Sequence, residues 1–183
     1  PYRDQEELED LGTAAFLRLE PQATPAGYRG ALFQINARGE PIEFTYNRVE
    51  TPSTFLWRPA DIQRAAARRL TASLLELAPR APRLIFCLAT EVPGDLFSRD
   101  LAVSMPICRI ATSLQGNQEE EVAELIEGEE PLHLFWYPAP PEEGSPERLL
   151  AQTLALYGLL LEPFERASTA LDELYGVKDP ANA

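Results

Sequence analysis

Apolar residues recur at every second position in two neighbouring stretches, Tyr28 to Asn36 and Pro41 to Asn47, and the residues between them, Ala37-Arg38-Gly39-Glu40, have the composition of a short turn. The alternation predicts a β-hairpin in which Phe33 and Ile35 share a face with Ile42, Phe44 and Tyr46, with Gly39 free to take φ > 0. One face of a lone hairpin cannot stabilise itself. The nearest cover is a helix over 60–78, where Ile62, Ala66, Leu70, Ser73, Leu74 and Leu77 fall three or four residues apart. Thr13 to Glu20 also alternates and reaches the hairpin through the turn-rich Pro21 to Gly27, so the chain opens with a three-stranded antiparallel meander.

Arg83 to Thr90 is continuously apolar, the pattern of a central strand covered on both faces. Leu96 to Leu101 reads as a short helix or irregular loop, and Val103 to Ala111 as a strand that Pro106 places at an edge or a bulge. Between Thr112 and Glu130, Val122, Leu125 and Ile126 at helical spacing fit a short acidic helix or a loop; Leu132 to Tyr137 is the last strand. Ser145 and Pro146 supply an N-cap and a first-turn proline for a helix running to Tyr175, with a kink at Pro163. The fold class is therefore α/β, of the α+β type: a single mixed sheet of about five to six strands that opens with a meander and is packed by two main helices. Residues 13–176 form one domain, 1–12 an acidic, frayed N-terminus and 177–183 a tail.

Composition changes the picture in three respects. The 183 residues, 45% hydrophobic, suffice for one core. Net charge is −13, which disfavours nonspecific nucleic acid and anionic membranes as partners, yet the segment from Arg58 to Arg83 is at +4. Arg64 and Arg68 share a helix face there, with Arg69 beside the apolar stripe. Cys87 and Cys108, both with apolar neighbours, read as buried thiols of a cytoplasmic protein. No apolar run reaches the ~20 residues of a membrane span, and Trp57 reads as a packing residue in the loop before the helix.

No nucleophile constellation, phosphate loop, dinucleotide fingerprint or zinc motif is present, and His133, the single histidine, sits inside an apolar strand. No cofactor and no metal site is assigned. The scattered carboxylates Glu20, Glu43, Glu91 and Asp95 fall near strand ends. Three antiparallel strands, a helix and a further strand resemble the opening of ribonuclease-H-like nucleases, in which acidic residues at strand ends hold two magnesium ions. That resemblance would make these four residues the catalytic set, although the fold wants an aspartate central to its first strand, where this chain has Leu17-Arg18-Leu19. From Tyr28 to Tyr175 the element order also resembles the roadblock and longin class of small platforms, which mostly bind proteins.

The apolar surface of the last helix is too broad for one stripe. Leu150, Leu154, Tyr157, Leu161 and Phe164 cover the sheet, which leaves Leu149, Leu156 and Leu160 on an adjoining strip. The resulting expectation is a non-catalytic protein-interaction subunit or adaptor of a cytosolic assembly. It would contact a protein partner or a second copy through Arg64, Arg68, Arg69, Leu149, Leu156 and Leu160. The alternative is a metal-dependent nuclease with a ribonuclease-H-like fold; a further alternative is a small-molecule sensor.

Overall fold

The computed structural model describes residues 7–8, 10–52, 55–112, 124–128 and 130–177. Much of the N-terminal segment, most of the acidic run at 112–130 and the end of the tail lie outside these residues.

The strands are β1 (Thr13–Gln22), β2 (Gly27–Asn36), β3 (Pro41–Glu50), β4 (Leu84–Leu88), β5 (Ile107–Ala111), β6 (Glu124–Ile126) and β7 (Leu132–Tyr137). They form one seven-stranded sheet in the order β3-β2-β1-β4-β5-β7-β6. β1, β2 and β3 are the expected antiparallel meander, with Gly39 at φ +81° in its turn. β4 pairs parallel to β1, β5 parallel to β4, and β7 and β6 close the far side antiparallel. The additional strand is β6, where Leu125 and Ile126 alternate across an edge strand instead of sharing a helix face.

Helices cover both faces. α1 (Pro59–Leu77) carries the chain from β3 to β4 and buries Ile62, Ala66, Ala67, Leu70 and Leu74. It packs on Leu17, Leu19 and Leu32, together with a π-helical turn at Leu96–Asp100. Phe33 and Ile35 point the other way and are covered by the C-terminal helices. The expected pairing of that face with helix 60–78 is thus corrected. β2 is apolar on both sides, so alternation could not choose a face; the crossover from β3 to β4 does, since connections between parallel strands are right-handed in nearly all sheets.

The predicted C-terminal helix is two helices, α2 (Pro146–Leu156) and α3 (Glu162–Tyr175). Ser145 caps the first, its Oγ accepting from Arg148 N at 3.2 Å. The break comes at Gly158, which has φ +69°. Pro163 does not kink a continuous helix; it sits in the first turn of α3, where its missing N–H has no intrahelical partner to lose. α3 lays Phe164, Ala167 and Leu171 on the sheet, and Phe164 meets Phe16 edge-on at 5.1 Å while Phe16 stacks on Phe86 at 5.1 Å. Among the described residues no helix is long and apolar enough to cross a membrane.

Candidate functional site

β1 and β4 lie side by side and parallel, but the chain leaves β1 toward β2 and β4 toward β5, on opposite sides. The crevice beyond the carboxyl ends of such a strand pair is where open α/β sheets place functional groups. Glu20 stands near the end of β1, and Glu91 lies just past β4. Because strand side chains alternate, Arg18 and Glu20 point to the same face as Phe16, the face that α3 covers. Arg29 of β2 stands opposite Glu20 in the ladder. From above, α3 contributes Ser168 and Asp172, one helical turn apart.

These groups form one ion-paired cluster. Arg18 Nε lies 3.1 Å from Glu20 Oε1 and 3.3 Å from Glu91 Oε2. Arg29 Nε lies 3.2 Å from Glu20 Oε2; its other nitrogens donate to the Asp172 carboxylate and, at 2.6 Å, to the Gly176 carbonyl. Ser168 Oγ donates to Glu20, and Leu19 N donates to Glu91 Oε1 at 3.0 Å. The Glu20 side chain is 0% exposed and that of Arg29 3%. Charges this deep are tolerated because they are paired and hydrogen-bonded.

Of the four carboxylates proposed from the sequence, the fold brings together Glu20 and Glu91. Asp95 lies at the start of the π-helical turn and pairs with Arg64 at 2.9 Å, which holds its carboxyl below the usual carboxylate range. Glu43 faces Arg80 at 4.0 Å. It sits opposite Gln34, itself opposite Ala15, so it is five positions along β1 from Glu20, roughly 17 Å at ~3.3 Å per residue. Arg18, Arg29, Ser168 and Asp172 escaped sequence reasoning. The available signals were an i, i+2 Arg-Glu pair on a strand, an arginine at the register position opposite that glutamate, and a Ser/Asp pair at i, i+4 on the last helix. His133, on β7, is separated from β1 by β4 and β5.

The proposed contact residues also divide. Arg64 is committed to Asp95 and, at 3.0 Å, to Asp100. Arg68 and Arg69 are exposed and, among the described residues, form no ion pair. Leu149, Leu156 and Leu160 do not make a strip: Leu149 packs against the core, Leu160 is 3% exposed and Leu156 is 80% exposed. The helix break before α3 turns Leu160 inward. Trp57, expected to pack, is 51% exposed, and Phe55 beside it is 89% exposed.

The fold has counterparts among solved structures. Endonuclease V from Streptomyces avermitilis matches over 100% of this chain and 96% of its own, with TM-score 0.60 and 12% identity. Endonuclease V from Bacillus subtilis matches over 91% and 81%, with TM-score 0.54 and 12% identity. Endonuclease V from Ciona intestinalis, solved with a 24mer DNA containing an inosine followed by a ribo-adenosine, matches over 68% and 70%, with TM-score 0.44 and 10% identity. No family model and no curated protein matches the sequence.

At these identities the likeness of the first two is one of fold alone, and both of those proteins are endonucleases. It corrects the expectation of a protein-interaction adaptor or complex subunit. That expectation rested on the arginine face of helix 60–78 and on a leucine strip; the tertiary structure engages Arg64 within the chain and dissolves the strip. The resemblance to roadblock and longin platforms left out β1, which is an interior strand of the sheet, between β2 and β4. The likeness to two endonucleases also corrects the expectation that nonspecific nucleic acid is disfavoured and that a protein or second copy is the partner. A net charge averaged over the chain does not describe the field at one surface, and seven of the 29 acidic residues lie in the run at 119–130, away from Arg68 and Arg69 in sequence.

Magnesium, implied by the ribonuclease-H-like resemblance, needs carboxylate oxygens free to coordinate it at ~2.0–2.1 Å. Here Glu20, Glu91 and Asp172 are each engaged by a guanidinium. No group of three or more His, Cys, Asp or Glu among the described residues is arranged to hold a metal. The donor set as folded does not fit the ion.

Proposed function

We propose that the chain engages nucleic acid, on the scaffold of a metal-dependent nuclease whose acidic centre it keeps ion-paired. The observation that carries this reading is the sheet order with Glu20 and Glu91 at the β1/β4 crevice and Asp172 above it, in a fold shared almost end to end with two endonucleases. Exposed groups of suitable chemistry lie just before and on α1, which packs on the sheet face opposite the carboxylate cluster. Phe55 and Trp57, exposed just before the helix, offer ring faces on which unpaired bases stack, and Arg68 and Arg69 offer cations for phosphates.

Fluorescence anisotropy with labelled single- and double-stranded DNA and RNA tests the reading. Binding is expected at low salt, weakened by Arg68→Glu with Arg69→Glu, with the salt slope reduced by about 0.7–0.9 for each phosphate that is no longer neutralised. Phe55→Ala with Trp57→Ala is expected to weaken single-stranded binding selectively. Failure to bind any of the four nucleic acids at low salt overturns the proposal. Cleavage assays with magnesium and manganese on the same substrates are expected to show no hydrolysis, because guanidiniums engage Glu20, Glu91 and Asp172.

A further inference from the structure

We infer that Arg18 and Arg29 are the resident cations of the carboxylate centre, standing in the roles that divalent ions fill in a two-metal nuclease, so that the folded protein excludes such ions from it. The cluster alternates acid and base: Glu91, Arg18, Glu20, Arg29, Asp172. Glu20 lies in the middle with one oxygen toward each neighbour, Oε1 to Arg18 and Oε2 to Arg29. In two-metal sites it is a pair of cations that clamps the attacking and leaving oxygens of an in-line displacement, and carboxylates hold that pair. Here both cationic places belong to the protein chain.

The two arginines are not held equally. Arg29 is buried, and all its nitrogens donate: to Glu20, to Asp172 and to the Gly176 carbonyl. Arg18 is 20% exposed and engages its two carboxylates through Nε. A divalent ion entering the centre must displace a guanidinium from an oxygen it needs, and Arg18 is the one at the mouth. This inference rests on the geometry of the cluster and not on nucleic-acid binding, so either proposal stands or falls without the other.

The experiment is titration of the full chain with manganese alone, followed by electron paramagnetic resonance of the free ion and by thermal unfolding. The wild type is expected to take up no stoichiometric manganese and to show no shift in melting temperature. Arg18→Met is expected to take up the ion and gain roughly 5–10 °C in melting temperature at manganese about 100-fold above its dissociation constant. Adding Glu91→Gln to that variant is expected to abolish the gain. Arg18→Lys, which keeps the charge, is expected to remain metal-free. Stoichiometric uptake by the wild type that Glu20→Gln removes overturns the inference, as does a folded Arg18→Met that takes up none. If Arg18→Met does not fold, the wild-type titration and Arg18→Lys decide.

Discussion

Arg29 of β2 stands directly opposite Glu20 of β1, and their side chains meet at 3.2 Å with almost no access to solvent. Among the described residues, removing Arg29 leaves the buried Glu20 with one cation, Arg18, in place of two, and removing Glu20 leaves the buried Arg29 with Asp172 alone. Arg29→Ala is therefore expected to lower unfolding free energy by about 3–5 kcal/mol. Replacing both at once, Glu20→Leu with Arg29→Met, is expected to cost less than Arg29→Ala alone, because no buried charge of the pair is left unmatched. Urea denaturation of the three proteins measures both effects.

Leu156 and Leu160 lie four residues apart yet on opposite sides of the break between α2 and α3. Leu160→Ala removes a buried side chain and is expected to cost about 2–5 kcal/mol, whereas Leu156→Ala, on an exposed residue, is expected to stay within about 0.5 kcal/mol of wild type. Equal effects in thermal or chemical unfolding would contradict the helix break.

Cys87 and Cys108 are free and buried on adjacent strands, where the register pairs Phe86 with Cys108 and Cys87 with Arg109. Their side chains consequently point to opposite faces of the sheet and cannot bridge without rearranging it. Burial pushes the Cys87 thiol up to about 12, so the reactive thiolate is scarce near pH 8. Alkylation at that pH is expected to modify neither cysteine in the native protein and both after denaturation, read by mass spectrometry.

The Arg64 guanidinium, hydrogen-bonded to Asp95, holds that carboxyl below its ordinary value of 3.8. A depressed folded-state pKa gives stability that is present above the ordinary value and lost as pH falls through the folded one. Arg64→Ala is expected to move the Asp95 titration, followed by NMR, upward toward the ordinary range and to remove that part of the acid dependence of unfolding. An unchanged Asp95 titration would show that the pair contributes nothing in solution.

Local pattern was enough to read the strands of the sheet's middle, the meander and the start of each main helix. The signals are short-range: alternation at 13–20, 28–36 and 41–47, a continuous apolar run at 83–90, and the cap at Ser145. The end of the helix begun at Pro146 was not legible, because the leucine repeat continues through Gly158 in sequence while the backbone turns there. Pro163, the obvious breaker, proved compatible with a helix start.

The sequence by itself determined a mixed α/β sheet with an opening meander and supplied Glu20 and Glu91 as acids near strand ends. Only the tertiary structure decided which face of the meander each helix covers, because β2 is apolar on both. It alone decided that Glu20 and Glu91 meet while Glu43 and Asp95 go elsewhere, and that Arg18, Arg29 and Asp172 complete the cluster. Those residues come from β1, β2, the segment after β4 and α3, as far as 154 positions apart in the chain for Arg18 and Asp172. Spacing along a sequence reports neighbours within one helix or strand, whereas a charge cluster closed by a parallel crossover and a returning helix is set by how those elements stack.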